Sequence, residues 1–213
     1  MVFRRIITAA LMGILGIAYG SALAFEPIQS TEDVNKAIIY GLNNRDLGYA
    51  TLLGPNWIEG PEGSLLHVYS PFMLLASQAA GKQSLSGDTS PAALKEARTK
   101  MARIISQVND PKGIQEVKFA VSLYGATEDF ASHITARVEG VGHGREVELK
   151  SRRVILDKKA NPVTNGAGDQ AYEAVNAYYF NFNDLSHVDM GELVLYRPDG
   201  NTLRYKLDTH RLY

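Results

Sequence analysis

The period of the hydrophobic pattern changes once along the chain, near residues 109–113, and this change constrains the fold most strongly. Before it, apolar residues recur three or four positions apart, which is the spacing of amphipathic helices. After it, apolar and polar residues alternate, as in Val117, Phe119 and Val121, which is typical of strands with one face in water. The sequence therefore predicts an α+β protein whose helices precede an antiparallel sheet region.

Each predicted helix begins with a recognisable capping signal. Ser30 opens the first, and Asp33 follows three residues later, which is the spacing of a capping box. Ser70-Pro71 and Ser90-Pro91 open the other two, because proline fits the first helical position without the loss of a hydrogen bond. The predicted helices span residues 30–44, 71–80 and 91–108.

The alternating region contains about six predicted strands separated by polar turns, among them residues 198–201. Their pattern favours an immunoglobulin-like β-sandwich, with a half-barrel as the alternative. The region has neither cysteine nor tryptophan, so it carries no antibody-type core signature. We expect a mainly helical N-terminal region over residues 25–110, packed on an antiparallel β-sandwich domain over residues 111–213.

The first 24 residues have the pattern of a signal peptide. Arg4 and Arg5 precede an apolar stretch, residues 6–19, that is shorter than the roughly 20 residues of a membrane-spanning helix. Ala22 and Ala24 match the small-residue pattern that signal peptidases accept. We expect cleavage after Ala24 and a periplasmic or secreted protein with no stable membrane span; an uncleaved N-terminal anchor is the alternative.

Composition excludes several classes of function. Without Arg4 and Arg5 the chain has 20 basic and 23 acidic residues, a net charge of −3. The nearest approach to a basic run is residues 150–153, with Lys158 and Lys159 after it, and a solvated strand and turn explain these residues. No nucleic-acid partner is therefore expected. The absence of cysteine excludes disulfides, thiolate metal sites, a cysteine nucleophile and N-terminal lipid attachment. No cofactor motif is present, so we expect no cofactor.

The leading functional hypothesis is a non-enzymatic envelope protein that acts through protein–protein contacts, because a sandwich offers faces and edge strands to a partner. The alternative is a small-ligand or carbohydrate-binding module, in which a loop rich in glycine and proline presents the lone tryptophan. Packing between the helices and the sheet also explains a tryptophan at this position, because large aromatic side chains mostly serve cores. The candidate ligand-binding residues are Asn56, Trp57, Glu59, His67 and Tyr69.

A third hypothesis is a hydrolase or metal-dependent enzyme that uses His187 and Asp189, which share one side of an extended chain. A single pair without a third ligand is a weak metal signal, so neither a metal site nor a catalytic residue is predicted. Tyr179 alternates with Tyr178 and Phe180. We interpret these aromatic residues as core and sheet packing, with exposure of Tyr179 on a recognition face as the alternative.

Overall fold

The protein combines helices with two antiparallel sheets, which confirms the predicted mixture of helix and antiparallel strands. The structure is a computed structural model and describes residues 28, 30–46, 57–81, 90–108, 115–164 and 170–207. The predicted signal peptide and Asn56 lie outside these residues. No helix in the described ranges is both long and apolar enough to cross a membrane.

The described residues form four α-helices, one short 3-10 helix (Pro61–Gly63) and ten strands. The helices are α1 (Thr31–Asn43), α2 (Pro71–Gly81), α3 (Pro91–Val108) and α4 (Phe182–Leu185). The strands are β1 (Trp57–Glu59), β2 (Leu65–Tyr69), β3 (Glu116–Gly125), β4 (Thr135–Gly142), β5 (Arg145–Lys150), β6 (Arg153–Ile155), β7 (Asn161–Thr164), β8 (Gln170–Asn181), β9 (Met190–Tyr196) and β10 (Thr202–Leu207).

The helix starts follow from local side-chain chemistry. The hydroxyl of Ser30 accepts the backbone N–H of Asp33, and the Asp33 carboxylate accepts the N–H of Ser30 at 2.9 Å, which completes the predicted capping box. The hydroxyl of Ser70 accepts the N–H of Met73 at 3.1 Å at the start of α2. These bonds satisfy donors that the first helical turn otherwise leaves unpaired.

The larger sheet has the strand order β1-β2-β3-β8-β6, with β7 also paired to β8, and the smaller sheet has the order β10-β9-β4-β5. Strands β1 and β2 precede residue 110 but lie in the same sheet as β3, so the larger sheet takes strands from both sides of that position. The sequence predicts a single strand over residues 146–156, after the turn at residues 142–144. Instead β5 pairs with β4 and β6 pairs with β8, because the backbone changes sheets at Arg152, whose N–H donates to the Tyr179 carbonyl at 2.7 Å.

Buried residues from both sheets form one hydrophobic cluster. Within it, the rings of Phe119 and Phe180 meet edge to face at 5.3 Å. A second cluster joins buried side chains of α1, α2 and α3 with Tyr69 of β2 and Ala120 of β3. The residues of β2 and β3 therefore alternate between the two clusters, as the period of a strand requires.

A buried polar network holds the segment between β3 and β4 against β8. Asn176 is fully buried, and its amide donates to the Ala131 carbonyl at 2.9 Å and to the Tyr178 hydroxyl at 3.2 Å. The Asn176 carbonyl oxygen accepts the backbone N–H of Asp157 at 3.0 Å, and the Tyr178 hydroxyl donates to the Ile134 carbonyl at 3.1 Å. Burial raises the pKa of Tyr178, so its hydroxyl stays protonated as a donor.

Candidate functional site

Four residues line up across the larger sheet on the face opposite its core. Directly paired residues in antiparallel strands present their side chains on the same face. The register pairs Tyr69 with Lys118, Lys118 with Tyr179, and Tyr179 with Arg153, across β2, β3, β8 and β6. We call these four residues the cation–tyrosine row. His67 shares their face, because it precedes Tyr69 by two positions in β2.

Each cation of the row lies over a tyrosine ring. The ammonium nitrogen of Lys118 is 4.6 Å from the centroid of the Tyr69 ring, and the guanidinium carbon of Arg153 is 3.5 Å from that of Tyr179. Both tyrosines are 8% exposed. Such cation–π contacts stabilise a cation by about 0.5–1 kcal/mol at exposed sites and by more where water is excluded. The row is therefore an ordered arrangement rather than a set of independent surface side chains.

The two cations differ in how their charge is balanced. Arg153 makes an ion pair with Glu116 at 2.8 Å. Lys118 is partly buried and has no carboxylate at ion-pair distance among the residues that the structure describes. Burial, together with the nearby charge of Arg153, lowers the pKa of the Lys118 ammonium. An unpaired cation in this setting costs folding free energy, and such residues are concentrated at functional sites.

His67 adds a second unsatisfied group beside Lys118. Its Nδ1 atom is buried and has no hydrogen-bond partner within the described ranges. Burial, and then the charge of Lys118, lower the pKa of His67, which favours the neutral imidazole. An anion bound here would neutralise Lys118 and stabilise the protonated form of His67. These side chains therefore have the charge and the hydrogen-bonding capacity to bind an anionic group.

The predicted ligand-binding residues are partly brought together. His67 and Tyr69 both lie on the face that carries the cation–tyrosine row. Glu59 is exposed and lies opposite Leu65 in the β1–β2 register. Trp57 begins β1 with its backbone opposite His67, and its side chain lies outside the described part of the structure. Whether Trp57 binds a ligand or packs between helices and sheet stays a prediction.

Lys118 and Arg153 were missed as candidate residues by the sequence interpretation, which assigned residues 150–153 to a solvated strand and turn. The alternation of Val117 and Phe119 does place Lys118 on the face opposite the core. The alternation in β8 likewise places Tyr179 on the face opposite Tyr178 and Phe180. Tyr179 is nevertheless covered rather than exposed, because the Arg153 guanidinium lies over its ring. Only the pairing of β3 with β8 and of β8 with β6 brings these residues into one row.

The outer face of the smaller sheet provides a contrast. It forms an open groove of about 950 Å³. Arg204 pairs there with Glu139 at 3.2 Å and with Glu192 at 3.0 Å, and Arg137 on the same strands pairs with Glu148 at 3.0 Å. Arg204 and Arg137 are thus neutralised within the sheet, whereas Lys118 on the larger sheet has no carboxylate at ion-pair distance among the described residues.

The residues of the third hypothesis lie at one end of the smaller sheet. His187 and Asp189 are both exposed, and the Asp189 carboxylate accepts the backbone N–H of His143 at 2.8 Å. The described residues contain no group of three or more histidine, aspartate or glutamate side chains arranged to hold a metal ion.

Comparison with known proteins assigns no family to the chain. No protein-family model matches it, and neither a curated protein nor a solved structure matches it. What the protein does must therefore be inferred from its own residues.

Proposed function

We propose that the protein is an exported, non-enzymatic binding protein that recognises an acidic segment of a partner protein at the cation–tyrosine row. One observation carries this proposal: Lys118 is a partly buried cation between two tyrosines, with no carboxylate partner in the described structure. Charge complementarity selects an anionic group as the occupant. The row is built on sheet strands, which position a binding group more rigidly than a loop does.

A carboxylate at the row would satisfy two groups at once. It would accept a hydrogen bond from the Lys118 ammonium. It would also favour protonation of His67, whose imidazolium would then donate a second hydrogen bond to the carboxylate. Hydrogen bonds between charged partners are shorter and stronger than neutral ones, and partial burial reduces their screening by water. The flanking rings of Tyr69 and Tyr179 would limit the access of water to this contact.

The proposed location is the periplasm or the cell exterior, after removal of residues 1–24. Support comes from the charged start, the apolar stretch and the small residues before Phe25. Ile28 follows Phe25 closely and is held by the Gln115 side chain, which accepts the N–H of Ile28 at 2.8 Å and donates to its carbonyl at 2.9 Å. A chain that begins at Phe25 would keep this attachment.

The finer architecture that we propose is an immunoglobulin-like sandwich with the helices packed against the outer face of its larger sheet. The single cluster of buried residues that draws on both sheets supports the sandwich. The cluster of helical residues with Tyr69 and Ala120 supports the position of the helices. In this arrangement the helices would flank the cation–tyrosine row and form one wall of the binding surface.

A small-ligand or carbohydrate site is the second candidate function. It is favoured by the β1–β2 register, which sets Trp57 opposite His67, because aromatic rings recognise sugar faces and other flat apolar groups. The two candidates separate cleanly. Lys118→Met should weaken binding of an acidic peptide and leave that of a neutral sugar unchanged, whereas Trp57→Ala should weaken binding of the sugar and leave that of the peptide unchanged if the sugar hypothesis holds.

Calorimetric titration with an acidic peptide tests the leading proposal. We expect a peptide of Gly-Glu repeats to bind the protein and a matched peptide of Gly-Gln repeats to show no binding. Lys118→Met keeps the aliphatic stem and removes the charge, and we expect it to weaken binding by about tenfold or more, or about 1.4 kcal/mol. Lys206→Met, which removes an exposed lysine from the smaller sheet, is the matched control and should change the affinity by less than about twofold.

Equal losses for Lys118→Met and Lys206→Met would show that the peptide responds only to overall charge, and the proposed site would be wrong. Binding of the Gly-Gln peptide with the same affinity would also contradict it, since a neutral amide cannot neutralise Lys118. Thermal unfolding of both variants checks that each remains folded during the titration.

A further inference from the structure

We propose that His143 and His187 form a binding site for a divalent transition-metal ion such as Zn²⁺, at the end of the smaller sheet and apart from the cation–tyrosine row. His143 is the exposed residue at the β4–β5 turn, and His187 is an exposed residue between α4 and β9. Although 44 residues apart in the chain, their rings have centroids only 5.5 Å apart.

The separation of the two ring nitrogens fits a shared metal. Nε2 of His143 lies 3.4 Å from Nδ1 of His187. Two nitrogens bound to one tetrahedral Zn²⁺ at about 2.0–2.1 Å lie about 3.3–3.4 Å from each other. The pair is therefore spaced as two ligands of one ion, with the ring planes tilted by 48° rather than stacked. The remaining coordination positions would be taken by water.

The backbone brings the two histidines together without a metal. The turn residues His143 and Gly144 have φ values of +50° and +75°, a conformation typical of a tight hairpin turn. The Asp189 carboxylate accepts the N–H of His143 at 2.8 Å, and the Asp189 N–H donates to the Val141 carbonyl at 2.8 Å. A side chain at Gly142 would place its Cβ 1.9 Å from the His187 carbonyl oxygen, so the two segments touch directly. Such preorganisation lowers the entropy that binding would otherwise cost.

The donor set selects the kind of metal. Imidazole nitrogen suits Zn²⁺, Ni²⁺ and Cu²⁺, whereas Mg²⁺ and Ca²⁺ prefer oxygen ligands. In the metal-free protein, one ring donates its proton toward the nitrogen of the other. The ion would take the place of that shared proton, which would move to the other nitrogen of the donor ring, so that both imidazoles would bind the ion as neutral ligands. With only two protein ligands, the site would bind reversibly rather than act as a closed structural centre.

Zn²⁺ titration of untagged protein in a non-chelating buffer tests this site. We expect one equivalent to bind, and Mg²⁺ at the same concentration to give no signal. His143→Asn is the preferred variant, since asparagine tolerates the positive φ of this turn, and His187→Gln is the second. Each should weaken Zn²⁺ binding at least tenfold. His133→Gln is the matched control, because it changes an exposed histidine that lies two residues before β4 of the same sheet. It should leave the affinity for Zn²⁺ unchanged.

Imidazole NMR spectra provide a test that needs no variant. Of the five histidines in the chain, only His143 and His187 should shift on addition of Zn²⁺. Absence of binding, shifts spread evenly over all histidines, or an equal loss in His133→Gln would each overturn the proposal. Failure of this site would leave the proposed acidic-peptide site untouched, because the two share no residue.

Discussion

Replacement of Asn176 by alanine should destabilise the protein more than any other single hydrogen-bonding change in the sheet core. Asn176 is 0% exposed, and its side chain serves the backbone N–H of Asp157 and the carbonyl of Ala131. Alanine leaves the buried Ala131 carbonyl and the partly buried Asp157 N–H without these partners. Because an orphaned buried group costs about 1–3 kcal/mol, two of them should account for most of the loss.

The expected loss is about 3–4 kcal/mol, from roughly 1.5 kcal/mol for each orphaned group and a small contribution from the cavity. For a chain of this size that corresponds to a fall of roughly 6–16 °C in Tm. Tyr178→Phe should cost only about 1–1.5 kcal/mol, since it removes one donor to the Ile134 carbonyl and leaves the contact of Asn176 with Ala131 in place.

Urea unfolding followed by circular dichroism measures both losses, and the double variant completes a mutant cycle. The two changes share the bond between the Asn176 amide and the Tyr178 hydroxyl, so their effects should not be additive. A loss below about 1 kcal/mol for Asn176→Ala, or strict additivity in the double variant, would refute the reasoning that this network is a connected and buried unit.

Two further predictions concern proton binding and sheet contact. Because burial lowers the pKa of His67, the unfolded chain takes up a proton more readily than the folded one, and stability should fall as the pH drops below about 6.5. His67→Gln should reduce this dependence of the unfolding free energy on pH. An unchanged dependence would contradict the prediction. Gly140→Ala should cost about 2 kcal/mol or more, because its Cβ would lie 2.1 Å from the Met190 carbonyl oxygen. Gly144→Ala, which meets no neighbour but keeps a φ of +75°, should cost only about 1 kcal/mol, and equal losses would contradict the steric argument.

Local signals predicted the helices and most strands because their causes lie within a few residues. The Ser30–Asp33 capping box and the Ser70 cap are short-range hydrogen bonds, and the sequence displays both partners together. The alternation in β3 and β10 likewise shows directly which side chains face the core. Where one residue and its near neighbours determine the structure, the sequence is sufficient.

Strand partnership could not be predicted in the same way. The sequence predicts one strand over residues 146–156, yet β5 and β6 join different sheets, because pairing depends on distant strands. The candidate site depends on the same information. Lys118 and Arg153 become neighbours of Tyr179 only through the order β3-β8-β6, so sequence reasoning recovered His67 and Tyr69 but not the cations beside them.

The most direct test of the central claim is the titration of His67, followed by NMR with and without the Gly-Glu repeat peptide. We predict a pKa below the usual histidine value for the protein alone, because of burial and the charge of Lys118, and a clear rise in this pKa when the peptide binds. A His67 pKa that is the same in both titrations, at peptide concentrations that saturate binding, would contradict the claim that the row receives an anionic group.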